Sequence, residues 1–336
     1  MTSDIDAHYR YNQTIKLFGA AAEPAFEAPE QQEAVWGRRW GCDSDVGRLR
    51  LVLMHRPGAE MAVVDPAKRI EEIGAFGDPE AGWYWQSDEI PPLAEMQAQH
   101  DGLVAALERE GVEVAGLDGV SDGRIKSCYT RDSAIAVKGG AVACRLGPRV
   151  RRGEEATVTR TLANLGAPIL RTIHGNGLLE GGSFAWINAR TAVVGRSIRV
   201  NEEGARQLEE VLMAQGVELI RVDMAGYDLH IDGAFVMIDV DLALVDPQRL
   251  PYAFLERLTA LGVRTIEIAP ADSSWIVNCL AVRPGRILMP EGASNRTLDL
   301  LARHHVETVT IPYDKMALNG GGIHCSTCPL VRDPVD

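Results

Sequence analysis

The sequence predicts an α/β fold in which five copies of one supersecondary unit close on each other, and three observations predict it. Beyond Pro91 a helix, a turn and a strand recur, with turns at Gly111, Gly166, Gly216, Gly262 and His305, spaced by 55, 50, 46 and 43 residues. Self-similarity at a nearly fixed interval marks a repeat architecture. A hairpin pattern follows each of the first four strands, over residues 134–145, 183–195, 234–245 and 277–289. Glycine fills four of the five turns, where the end of a helix calls for a residue in the left-handed region. A unit of hairpin, helix and strand cannot bury both faces alone, so five without capping repeats are expected to form a ring with pseudo-fivefold symmetry. A two-layer α/β domain with coincidental spacings is the alternative.

The elements follow in order. Residues 1–45, with Trp36 and Trp40 beside Arg38 and Arg39, have no clean period and are expected to form an extension or flap, leaving residues 46–336 as a single domain. From Arg48 to Leu53 an apolar strand runs into His55-Arg56-Pro57-Gly58, a turn dictated by Pro and Gly. A loop rich in Gly, Asp and Trp leads to Asp88, and the first amphipathic helix covers residues 92–110. The strand Val112-Glu113-Val114 opens the repeat, and with the fifth strand, His305-Val306-Glu307, the pattern ends.

Composition narrows the function. The 336 residues are 46% hydrophobic and 24% charged, ordinary for a globular chain, which excludes disorder and fibrous structure. Lys and Arg number 34 against 47 Asp and Glu, a net charge of -13 that repels nucleic acid and anionic membranes and suits a small cation. No apolar run approaches the ~18 residues of a membrane span, and the first residues lack a basic and hydrophobic leader, so a cytoplasmic protein is expected. Six cysteines are too few for a disulfide framework; Cys42, Cys144 and Cys279 are expected to be core thiols, and Cys128 to pack as well. Homo-oligomerisation is left open.

In a ring, the segment between each unit's first strand and its hairpin occupies an equivalent place, and the reactive residues gather there. They are Cys128-Tyr129-Thr130-Arg131-Asp132 in the first unit, Glu180-Gly181-Gly182-Ser183 in the second, Leu229-His230-Ile231-Asp232-Gly233 in the third and Gly320-Gly321-Gly322-Ile323-His324-Cys325 in the fifth. Glu180 follows Gly166 by 14 residues and His230 follows Gly216 by the same 14, which gives the carboxylate and the imidazole matching positions. Such a set suits nucleophilic catalysis on a cation. A thiolate is the nucleophile, here Cys325, and the glycines before it let backbone approach a substrate. His230, oriented by Glu180, can give a proton to a leaving nitrogen, while Asp132 and Asp232 can hold a planar guanidinium by paired, charge-assisted hydrogen bonds.

Rival readings are weaker. Cys325-Ser326-Thr327-Cys328 has redox-pair spacing, but Pro329 stands where a following helix is needed. As half a zinc site it lacks two further ligands, since His304 and His305 are adjacent on a helix and point apart. Gly175-x-Gly177 lacks the rest of a dinucleotide fingerprint. No metal is expected.

With these residues assembled, the sequence resembles the guanidine-modifying enzymes of the pentein fold: arginine deiminases, dimethylarginine dimethylaminohydrolases and arginine:glycine amidinotransferases. The likeness runs from about Ser44 to Val331. Ser44-Asp45-Val46-Gly47-Arg48-Leu49 through Gly58, then Asp88-Glu89-Ile90-Pro91 and the helix with His100-Asp101, are similar to the opening of an arginine deiminase. Tyr129-Thr130-Arg131-Asp132 is similar to the guanidinium-binding aspartate motif, Glu180-Gly181-Gly182 to the acidic motif, His230-x-Asp232 to the histidine motif, and Gly320-Gly321-Gly322 with Cys325 to the nucleophile loop. The resemblance implies an α/β-propeller of five ββαβ units around a catalytic channel. It also implies a covalent mechanism without metal or organic cofactor. Cys325 attacks the guanidinium carbon, His230 protonates the departing amine, and an amidino-cysteine awaits water or a second amine.

Departures bear on the substrate. The helical insertion of arginine deiminases is absent, their acidic motif usually ends in Asp where Ser183 stands, and their arginine-recognition asparagine falls on Lys126. Arg199 matches a carboxylate-binding arginine, and Arg151 or Arg152 another, so a carboxylate on a guanidino substrate is implied while free L-arginine fits poorly. Glu180 favours a hydrolase. The stretches Leu229 to Phe235 and His324 to Cys328 look more like amidinotransferases, which leaves transfer to an amine as the alternative. A non-catalytic ring of the same fold is the third reading, and the intact Cys, His and acid set speaks against it.

Overall fold

Short apolar strands broken by tight turns give the expected unit, and the computed structural model, which describes residues 23–120 and 123–335, contains it five times. Strand Ala134–Val137 pairs antiparallel with Gly140–Ala143, helix Glu154–Asn164 crosses over, and Ile169–Thr172 returns parallel to Gly140–Ala143. The same order recurs in Phe184–Asn188, Thr191–Arg196, Glu202–Ala214 and Glu218–Asp223. It recurs again in Phe235–Asp239, Leu242–Val245, Tyr252–Ala260 and Arg264–Glu267, and in Leu280–Arg283, Arg286–Pro290, Asn295–Arg303 and Glu307–Ile311. The hairpin strands Ala134–Val137, Gly140–Ala143 and Leu242–Val245 are buried throughout, which is why they read as continuous apolar runs instead of alternating ones.

The fifth unit is split across the sequence. Strand Leu49–Met54, helix Leu93–Arg109 and strand Glu113–Gly116 supply most of it, and the missing strand is Cys328–Arg332, antiparallel to Leu49–Met54. The repeat therefore does not stop at its fifth strand, as the pattern suggested. Pro329 conceals the last one, because proline removes a ladder donor and weakens a strand signal. Cys328–Arg332 lies at the edge of its sheet, where proline is tolerated.

Helix ends behave as the glycines require. Gly111, Gly166, Gly216 and Gly262 have φ between 70° and 81°, and His305 takes the fifth turn at φ 61°, the one positive value at a non-glycine residue among those described. The helix ahead of it stops at Arg303, so His304 and His305 lie beyond it rather than on it. A side chain in the left-handed region costs about 1–2 kcal/mol, part of which glycine gives back through unfolded-chain entropy. His305→Gly is expected to raise stability by about 0.5–1 kcal/mol, read as a higher urea midpoint at unchanged m-value.

Of the extension expected over residues 1–45, residues 1–22 lie outside the described residues. Helix Pro29–Trp36 follows them, Trp40 is buried beside Leu51 and Leu53, and Gly41 bridges Val331. A small antiparallel sheet, Arg69–Ile70, Ala75–Asp78 and Trp83–Trp85, occupies the Gly- and Trp-rich loop and carries Tyr84. No helix among the described residues is long and apolar enough to cross a membrane.

Candidate active site

A single 3₁₀ turn leads into the first hairpin strand in three units, at Thr130–Ser133, Gly181–Ser183 and Ile231–Gly233, and a fourth such turn, Ser274–Ile276, stands just ahead of Leu280–Arg283. Asp132 and Asp232 lie within their turns, Glu180 and His230 cap theirs, and Asn278 comes two residues after the fourth. In the split unit the segment before Cys328–Arg332 carries Cys325. Repetition of one backbone device is what brings residues so distant in sequence to one place.

They converge closely. His230 Nε2 is 2.6 Å from Glu180 Oε2, and its Nδ1 lies 3.6 Å from Asp132 Oδ1. Asn278 Nδ2 donates to Cys325 Sγ at 3.3 Å, and the Cys325 backbone N–H donates to Asn278 Oδ1 at 3.2 Å. Asp232 Oδ2 stands 3.7 Å from the same sulfur and 2.8 Å from His324 Nδ1. Glycine is needed here for space: a Cβ on Gly182 would lie 2.7 Å from Asp132 Oδ1 and 2.8 Å from His230 Nδ1, and one on Gly322 would lie 2.4 Å from Asn278 Oδ1.

Cys325, 6% exposed, opens onto two chambers. One, of about 330 Å³, is lined by Asp132, Tyr84, Lys126 and Arg199 among others; the second, of about 270 Å³, by Asp232, Trp275 and Asn278. Gln86, Leu229, His230, Gly320 and Cys325 belong to both.

Burial sets the protonation states. It pushes the Cys325 thiol well above its ordinary value, and the carboxylates of Asp232 and Asp132 add to the rise, so the resting sulfur is a neutral thiol. Burial pulls His230 down, but Asp132 and the Glu180 hydrogen bond outweigh it and raise the imidazole above 6.5. Both ring nitrogens face carboxylate oxygens, the arrangement that favours imidazolium. Burial raises Glu180 too, yet His230 and Arg199 hold it down at about 2, as a carboxylate. Asp132, Glu180 and His230 each place a ligand atom within 4.8 Å of the others, spacing that a metal ion could use. Glu180 is already engaged by Arg199 and Asp132 by Arg151.

Residues 85–332 match the family model of eukaryotic N,N dimethylarginine dimethylhydrolase. The chain belongs to this family. As a member it is a cysteine-dependent hydrolase of C–N bonds in guanidino compounds, within the wider pentein superfamily. It is 25% identical over 238 residues to an N(G),N(G)-dimethylarginine dimethylaminohydrolase of Pseudomonas aeruginosa, covering 70% of this chain and 88% of that one. An arginine deiminase of Mycolicibacterium gilvum is 25% identical over 410 aligned residues, covering 88% of this chain and 98% of its own. The fold also matches an inosamine-phosphate amidinotransferase of Streptomyces griseus at TM-score 0.67 and 16% identity, covering 88% and 97% of the two chains.

In this dimethylarginine-hydrolase relative, three expected substrate contacts divide. Arg151 lines the first chamber, but all its guanidinium nitrogens are occupied: Nη1 donates to Asp132 at 2.5 Å, Nε and Nη2 to Glu154, and Nη2 also to the Tyr129 carbonyl. It fastens Asp132 in place, with four of its five N–H donors on protein acceptors and one Nη1 hydrogen left over. Arg152 likewise donates to the Leu146 and Gly147 carbonyls. Arg199 binds Glu180 through Nη1 alone, at 2.9 Å, and keeps its other donors. Lys126 donates to Asn319 Oδ1 at 2.7 Å and to the Asn319 carbonyl.

Asn278 and His324 join the site without a strong mark in the sequence. Asn278 sits in the fourth unit at the place that carries Asp132, Glu180 and His230 in others, yet it has no glycine or acid beside it and lies within an apolar hairpin pattern. His324 adjoins Cys325, and only the fold brings it to Asp232. The remaining cysteines are buried free thiols, and Cys328 Sγ donates to the Ala134 carbonyl at 3.5 Å.

Proposed function

We propose that Cys325 attacks the guanidino carbon of a substrate whose cationic group is held against Asp132, with His230 as general acid and Glu180 as its orienting base. The observation that carries this reading is the Cys325 thiol, the His230 imidazole and the Asp132 carboxylate around a single chamber, with the Glu180 carboxylate hydrogen-bonded to His230, one residue from each of four units. Arrival of a guanidinium offsets the carboxylates that keep Cys325 protonated, so the substrate itself promotes the thiolate. The thiol proton passes to solvent, the sulfur–carbon bond forms, the carbon–nitrogen bond breaks, and the His230 proton leaves with the amine. Water then gives one proton to the neutral His230 as it attacks the amidino carbon, the carbon–sulfur bond breaks, and a urea or ureido product departs with the second water proton released, while the thiolate takes back a proton from solvent.

The five units are proposed to form a closed propeller around this site, within one domain over residues 46–336. Supporting it, Cys328–Arg332 touches Ala134–Val137, the turn Thr130–Ser133 touches Gly181–Ser183, Phe184–Asn188 touches Phe235–Asp239, and Leu280–Arg283 touches both Phe235–Asp239 and Leu49–Met54. A cytoplasmic setting fits six unpaired thiols.

Mass spectrometry of protein and products after incubation with arginine, methylated arginines, guanidino acids and alkylguanidines tests the function. A urea or ureido product without added amine is the expected result. An adduct on Cys325 that clears only when glycine or a diamine is supplied would make the chain an amidinotransferase instead.

A further inference from the structure

The first chamber gathers basic side chains away from the reacting atoms. Lys126 is only 9% exposed, its Nζ sits 5.3 Å from the Tyr84 ring centroid, and its hydrogen bonds go to the Asn319 carbonyl and side-chain oxygen, with no carboxylate bridged to it among the described residues. Burial without a counter-ion pulls its pKa down to about 7. A carboxylate arriving in the chamber would hold the proton and take the ammonium's third donor. Arg199 lines the same chamber with its Nε and Nη2 unbonded among the described residues. Asp132 is the one carboxylate among the residues lining this chamber, and it already receives Arg151.

Resting on the hydrolase reading above, we infer that the substrate is a guanidino acid whose carboxylate is taken by Lys126 and Arg199 and whose chain carries no ammonium group. The attraction is a buried lysine that a carboxylate would hold as ammonium, plus an arginine with spare donors. The rejection is equally physical: an ammonium beside the carboxylate, as in an amino acid, would be desolvated next to Lys126, and the one carboxylate lining this chamber, Asp132, is already taken by Arg151 and the guanidinium. Tyr84, Pro148, Val150 and Leu229 offer ring and aliphatic surface to a short methylene chain, and about 330 Å³ is near the lower end of small-molecule sites.

The test compares 4-guanidinobutanoate, L-arginine and butylguanidine, which share the reacting group and differ in the tail. Steady-state kinetics of the wild-type enzyme are expected to favour the guanidino acid in kcat/KM over both others. In Lys126→Met its advantage over butylguanidine is expected to fall about 10- to 100-fold, mainly through KM, the factor lost with one charged hydrogen-bond partner. Lys126→Arg is expected to keep most of the preference. Calorimetric binding of the three compounds to Cys325→Ser gives a readout independent of turnover. Preference for L-arginine or butylguanidine, in rate or in binding, overturns the inference and leaves the hydrolase reading standing, and so does an unchanged ratio in a folded Lys126→Met. Selective binding of the acid with no turnover of any guanidine by the wild type would instead sink the hydrolase reading while the inference held.

Discussion

Replacement of Cys325 by Ala is expected to remove turnover altogether, with no amidino adduct by mass spectrometry and a fold unchanged by circular dichroism. In the proposed mechanism the covalent bond forms through this sulfur, and the alanine methyl supplies no nucleophile in its place. The fold survives because the resting sulfur is a neutral thiol: its removal takes away one atom's packing and two weak hydrogen bonds, and leaves no unpaired charge. A stability change of about 1 kcal/mol is the expected scale for so small a deletion. Guanidine binding should persist, since Asp132 remains fixed by Arg151 and by the Gly182 backbone N–H. Natural-substrate turnover by this variant would remove Cys325 from the mechanism.

Glu180→Gln is expected to lower kcat/KM about 10²- to 10⁴-fold, the range that general acid catalysis contributes. Gln keeps the shape but withdraws the charge that helps raise His230. The acid must carry a proton, so in the wild type activity is retained below the raised His230 value and declines as pH rises through it. In the variant that decline is expected to move to lower pH. An unshifted alkaline limb would show that His230 is not the acid. Stability responds at the other end of the scale. Glu180 falls from 4.5 to about 2 in the folded protein, so its contribution is full above pH 4.5 and is lost as pH drops from there toward 2. Acid unfolding of the variant should therefore be less steep over that interval.

The residues legible in the sequence were those whose chemistry is unusual for their surroundings. Cys325 behind three glycines, Glu180 before two, and His230 and Asp132 at matching places in the repeat could be found without coordinates, and the structure brings Cys325, His230 and Asp132 to one chamber with Glu180 bonded to His230. What stayed hidden depended on partners remote in sequence. Arg151 looks free on paper, but the first turn of helix Glu154–Asn164 places Glu154 under it and draws it to Asp132. Asn278 and His324 have ordinary neighbours and acquire meaning only across units. The strand Cys328–Arg332 was obscured by Pro329, and Trp40 by the absence of any period around it.

The split unit has a consequence for when the enzyme becomes active. Arg50 and Asp333, which flank the pairing of Leu49–Met54 with Cys328–Arg332, are bridged across 283 residues of sequence. The nucleophile lies three residues before that closing strand, so during synthesis the acid, its orienting carboxylate and Asp132 all emerge ahead of the thiol. Until the closing strand docks, the segment that carries Cys325 lacks the pairing with Leu49–Met54 that anchors it beside Asn278 and Asp232. A nascent or truncated chain thus carries a binding half without a reactive half, and bringing ends so far apart together makes this step entropically late.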